Sequence, residues 1–151
     1  MAEKGKNTVI GGSGFHHIAI KAWDYDRTLK FYTEALGFTR RYGWGSDERA
    51  NGGKDSRAAM LDTGDGNYLE LFAGREGDPN TPISEGGFLH ICYRANDPAA
   101  AYEKALAGGA TSVTPPKKVV PPGCDYPIEF HIAFVRGFDG EVIEFFHSEE
   151  L

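Results

Sequence analysis

Apolar and polar residues alternate from Phe15 to Ala22 (FHHIAIKA), the period of a strand with one buried face, and the pattern returns from Phe88 to Ala95 (FLHICYRA). After the first strand, Asp24 or Asp26 offers an N-cap to a segment with Leu29, Tyr32, Ala35 and Leu36 at helical spacing, and Gly37 stops it. After the second, Asp97 caps a helix with Pro98 in its first position, running through Ala107 to Gly108-Gly109. Phe38 to Trp44 reads as a further strand, and the polar, glycine-rich passage from Gly45 to Lys54 as an exposed loop. Arg57 to Asp62 and Asn67 to Phe72 then pair as a hairpin around Asp65-Gly66. In the later part, Thr111 to Thr114 is a short strand and Pro115 to Pro127 a loop with five prolines. Glu129 to Val135 and Glu141 to Phe146 form a second hairpin around Asp139-Gly140.

The two series are in register. His17 to His90 and Asp24 to Asp97 are each 73 positions, while Asp65 to Asp139 and Glu70 to Glu144 are each 74. Each half is a β-α-β-β-β unit, and two copies imply an internally duplicated domain rather than a solenoid. The expected organisation is a loose leader over residues 1–13 followed by a single domain over 14–151. Within it, module one spans 14–74, a linker 75–86 and module two 87–147.

Side chains alternate faces along a strand, so His17, Ala19 and Lys21 share one face and Ile18 and Ile20 the other. By the same parity His90 and Cys92 oppose Ile91 and Tyr93, Glu70 opposes Leu69 and Leu71, and Glu144 opposes Ile143 and Phe145. The apolar face should carry the helices, which leaves two histidines and two glutamates on the uncovered one. A carboxylate flanked by Tyr68 and Phe72, or by Val142 and Phe146, is costly to bury alone, and a divalent cation would relieve that cost. Imidazole and carboxylate together suit Ni, Co, Zn or Mn, with positions left open for water or substrate. Parity turns His16 toward the core and leaves His131 undecided, while His147 follows the last strand and reads as solvated.

Composition narrows the class without changing this picture. With 151 residues, 40% hydrophobic and 25% charged, the chain can bury one core, hiding roughly 70% of its unfolded surface without a disulfide or structural metal. Cys92 and Cys124 lie far apart with no CxxC spacing and read as reduced thiols, which fits a cytoplasmic protein, as does a leader with no apolar signal core. No stretch approaches the ~20 apolar residues of a membrane span. A net charge of -6, with no dense basic run, argues against nucleic acid.

The segments HHIAIKAWDYDRTLKFYTEALGF (His16 to Phe38), NYLELF (Asn67 to Phe72), FLHICYRANDP (Phe88 to Pro98) and HIAFVRGFDGEVIEFF (His131 to Phe146) resemble the glyoxalase I branch of the vicinal oxygen chelate superfamily. That resemblance implies an α+β fold, two tandem βαβββ modules forming a curved half-open sheet with helices on the outer face. It also implies one divalent metal ion per site held by His17, Glu70, His90 and Glu144, and a homodimer whose sites are in some relatives built from both chains. The implied activity is that of a metal-dependent lyase or isomerase of the lactoylglutathione lyase kind, acting on a small molecule that chelates the metal through two oxygens. Glu144, with Glu70 as partner, would move a proton through an enediolate.

Two positions depart from the glutathione-using pattern: Lys21 stands where relatives carry arginine, keeping the charge without the bidentate fork, and Gly74 where they carry asparagine. Lys117, Lys118 and Tyr126, in the proline-rich loop, are further candidates for substrate contact, whereas Arg57 reads as a surface charge and Trp44 as a core aromatic. One alternative is an epimerase of the methylmalonyl-CoA type, whose relatives usually carry glutamine where Glu70 stands. Another is a non-catalytic binding protein of the bleomycin-resistance kind, which lacks the metal ligands.

Overall fold

The computed structural model describes residues 17–78, 90–121, 124 and 127–149. The leader, most of the expected linker, His16 and Tyr126 lie outside the described residues, and with them the inward placement expected of His16.

Each half forms its own four-stranded mixed sheet. In the first, β1 (His17–Lys21) runs parallel to β4 (Tyr68–Phe72), followed by antiparallel β3 (Ala58–Asp62) and β2 (Thr39–Trp44). In the second, β5 (Ile91–Arg94) runs parallel to β8 (Val142–His147), followed by β7 (Phe130–Arg136) and β6 (Thr111–Val119). The duplication inferred from the 73- and 74-residue offsets is thus the symmetry of the fold.

Helix α1 (Tyr25–Lys30) starts where Asp24 accepts a hydrogen bond from the Arg27 amide at 3.1 Å. Where the periodicity predicts one continuous helix, Phe31–Ala35 forms a wider π-helical turn, and the neighbouring Phe31 and Tyr32 are both buried there. In the second half α2 (Pro98–Ala107) is capped by Asp97, which accepts from the Ala100 amide at 3.0 Å, and it buries Tyr102 and Ala105.

One element differs from expectation. Strand β6 runs on through Pro115 and Pro116 to Val119, where the proline content predicts a loop. It is the edge strand of its sheet, so the missing amide protons face no neighbour, and the pairing skips from Thr114 to Lys117 across an irregularity that absorbs both prolines.

The inward sides of both sheets share one core. Leu61, Leu69 and Leu71 of the first half and Val135 and Ile143 of the second are fully buried, and rings meet between the halves at Phe38–Tyr93 (5.1 Å) and Phe31–Phe138 (5.2 Å). The turn between β7 and β8 adds polar bonds to this contact. Asp139, 4% exposed, accepts from the Trp23 amide at 2.6 Å and the Thr28 hydroxyl at 2.7 Å, Arg75 donates to its carbonyl, and Glu141 accepts from the Tyr32 hydroxyl at 2.5 Å. Those donors offset the cost of burying the carboxylates. Asp65, at the equivalent turn of the first half, bonds among the described residues to its neighbours Thr63 and Asn67.

Candidate metal centre

With Leu69, Leu71, Ile143 and Phe145 turned into the core, the other face of each sheet is left open, and strand register defines the rows across it. On the first sheet these are His17–Tyr68–Asp62, Ala19–Glu70–Met60–Tyr42 and Lys21–Phe72–Ala58–Trp44. On the second they are Cys92–Glu144–Phe134–Thr114 and Arg94–Phe146–Ile132–Lys117.

Within each half the expected ligands meet in pairs. His17 Nε2 lies 3.5 Å from Glu70 Oε2, and His90 Nε2, just ahead of β5, lies 3.0 Å from Glu144 Oε2. The glutamate side chains are only 15% and 12% exposed, and each has its histidine ring nitrogen as a close polar neighbour. The His90 ring is further fixed edge-on against Phe134 at 5.5 Å. The two pairs do not join: among the described residues, no three His, Cys, Asp or Glu side chains converge as a metal-binding group. Among the described residues the chain thus presents two separate His–Glu pairs, each offering one nitrogen and one carboxylate oxygen. Imidazole and carboxylate are donors that suit a divalent ion.

The halves are not identical. Cys92 stands opposite Glu144 in the strand register, whereas the equivalent neighbour of Glu70 is Ala19. Partial burial, together with the charge of Glu144, pushes the thiol up to about 12. Both cysteines are free, as expected.

The remaining candidates separate clearly. Lys21 ends β1 on the open face beside Phe72, exposed. Lys117 and Lys118 point to opposite faces: Lys117 shares the open-face row of Phe146, while Lys118 sits opposite His131 and pairs with Glu129 at 3.0 Å. His131 is paired with His147, one position beyond the Glu144 face, and its ring bonds Glu129 at 2.8 Å, so it does not support Glu144. His147, read as solvated, bonds the exposed Glu149 at 3.1 Å. Arg57 is structural, forked onto both Asp55 and Asp26 and lying over the Tyr25 ring at 4.6 Å. Trp44, read as a core aromatic, instead stands on the open face, 37% exposed, with Tyr42 and Phe72 around it. β2 is the edge of its sheet, and Tyr42 beside Trp44 is 65% exposed.

Arg94 is the residue that sequence reasoning passed over. It occupies in the second half the place of Lys21 in the first, and the 73-residue offset that relates the histidines also relates 21 to 94.

The profile of the Glyoxalase/Bleomycin resistance protein/Dioxygenase superfamily matches residues 14–145, and the chain belongs to that superfamily. Among solved structures it is similar to SMU.1112c, at 22% identity and a TM-score of 0.63, covering 89% of this chain and 98% of that one. A glyoxalase I variant from Zea mays gives a TM-score of 0.64 at 21% identity, covering 87% of this chain and 45% of the longer maize chain. A glyoxalase/bleomycin resistance protein/dioxygenase from Alicyclobacillus acidocaldarius gives 0.58 at 20% identity, covering 91% of this chain and 92% of that one. These likenesses establish the two-module fold. No curated protein sequence matches the chain. Among the described residues no helix is long and apolar enough to cross a membrane.

Proposed function

We propose that the chain acts as a metal-dependent lyase or isomerase of the glyoxalase I kind, in which His17 and Glu70 of one copy and His90 and Glu144 of a second hold one divalent ion. The observation that carries this reading is the pair of couples: His17 with Glu70 and His90 with Glu144, on equivalent strands and open sheet faces, with no third His, Cys, Asp or Glu joining either among the described residues. Two-fold pairing of copies would complete two such shells at once. When bound, the ion would withdraw electron density from adjacent oxygens of a substrate and so acidify the neighbouring C–H.

The chain's own groups would do the rest. Glu144 takes up the proton and returns it to the adjacent carbon, with Glu70 as the balancing carboxylate. The Cys92 thiol faces Glu144 across the strand pair, where Glu70 faces Ala19. Low exposure of both carboxylates keeps competing water away from the transfer.

The test is complementation. H17A and H90A are each expected to lose the ion. Co-refolded in equal amounts, they should regain about a quarter of the wild-type metal content, because a mixed pair carries one intact shell and one doubly broken one. Turnover of methylglyoxal with glutathione by the Ni- or Co-loaded protein tests the reaction separately. Full metal retention by H17A alone would remove His17 as a ligand, and a folded mixture that binds no metal would remove the two-copy site.

A further inference from the structure

The open face beside Glu70 carries rings that the fold does not require. Tyr42 is 65% exposed and Trp44 37%, and they lie 5.7 Å apart with ring planes tilted by 31°. The Trp44 ring meets Phe72 edge-on at 5.9 Å. Between these two in the same row stands Ala58, whose small side chain leaves room for the larger ones to lean together.

In the second half the matching places are held by Thr114 and Lys117, and that half folds the same way. The ring pair is therefore an addition to the module rather than part of its core. Large aromatics left this exposed beside a cluster of ligating side chains mark a binding surface. The strand that bears them is also held in place: Arg57 and Arg49 bridge Asp55 and Asp47 across the loop that follows β2, and Gly45, at a φ of 77°, passes so close to the Ser56 carbonyl that no side chain would fit.

We propose that Trp44, Tyr42 and Phe72 form a seat for a planar aromatic group of the substrate, and that the substrate is an aryl-bearing oxoacid or hydroxyacid. Tyr42 lies in the row of Glu70, one strand beyond Met60, and Phe72 follows Glu70 by two residues on the same face, so a ring on the seat and Glu70 share one side of the sheet. The second half carries Arg94 and Lys117 on its open face beside Phe146, and these can meet an acid group. This assignment rests on the two-copy site proposed above, which sets the two open faces against one another. It also accounts for a cleft that carries Lys21 and Gly74 in place of the glutathione-contacting arginine and asparagine.

The probes are benzoylformate and pyruvate, which share a 2-oxoacid head and differ by the ring. Binding is measured by calorimetry on the full chain, with and without Co(II). It is measured in parallel by indole fluorescence in W23F, where Trp44 is the remaining tryptophan. Benzoylformate is expected to bind about tenfold more tightly than pyruvate and to quench Trp44. The double variant Y42A/W44A, and W44L as a milder change, should lose that preference while keeping pyruvate affinity and the oligomer mass of the parent.

Equal affinity for the two acids in the parent overturns the seat. So does a preference that survives Y42A/W44A, or a loss of oligomer with the preference unchanged, which would make the rings a subunit contact. A ring preference that persists in protein unable to bind Co(II) would sink the metal reading and leave the seat standing. Stoichiometric Co(II) with no ring preference would do the reverse.

Discussion

The Tyr32 phenol oxygen lies 2.5 Å from Glu141 Oε1, although 109 positions separate the two residues. Burial pushes the Glu141 carboxyl up to about 7, the hydrogen bond from Tyr32 opposes that rise, and the Asp139 charge adds to it. Because this value exceeds the unfolded one of about 4.3, the contribution to stability is complete below that pH and is lost as pH climbs through 7. The melting temperature is expected to fall by several degrees between pH 5 and 8, and E141Q should flatten that slope. Y32F removes the bond that holds the carboxyl down, so the decline should extend to higher pH. Differential scanning fluorimetry across a pH series checks all three.

Asp139 is the anchor between the halves. D139A would leave the Thr28 hydroxyl and the Trp23 amide without their acceptor, and a cost of about 3 kcal/mol is expected in urea unfolding. D139N keeps one acceptor oxygen and should cost less.

Cys92 touches Glu144 without belonging to the four expected ligands. C92A should weaken divalent metal binding by about tenfold while leaving stoichiometry unchanged, as loss of a partner behind a ligand does. Competition with a chelating dye reads the affinity, and an unchanged value would mean that the thiol does not orient Glu144.

Adjacent lysines should behave differently. K117A, on the open face, is expected to raise KM, whereas K118A removes only an exposed pair with Glu129 and should shift stability by less than about 1 kcal/mol and KM not at all. Steady-state kinetics on both variants decide the matter.

Strand parity alone placed His17, Glu70, His90 and Glu144 on the open faces, because a period of two allows only two choices and the leucines and isoleucines claimed one of them. The separation of the ligands into two pairs was not legible, since parity says nothing of how two sheets lie relative to one another. Strand β6 was hidden by its prolines, whose penalty depends on whether a neighbouring strand needs their amide protons. The ring of Trp44 misled for a related reason: an aromatic residue in a strand usually signals a core, and only the register with Ala58 and Phe72 puts it on the face that carries Glu70. Arg94 was legible and was missed; the same offset that found the second histidine leads to it.

The bonds from Asp139 to Thr28 and Trp23 have a historical meaning. A duplicated module begins as two equal copies, either of which could in principle survive alone or pair with a twin. Asp65 still closes its own turn within the first copy, but its counterpart Asp139 has become buried against the first copy's helix. Excised from its neighbour, the second copy would carry that carboxylate without the Thr28 and Trp23 donors that hold it, so the two copies have come to depend on one another.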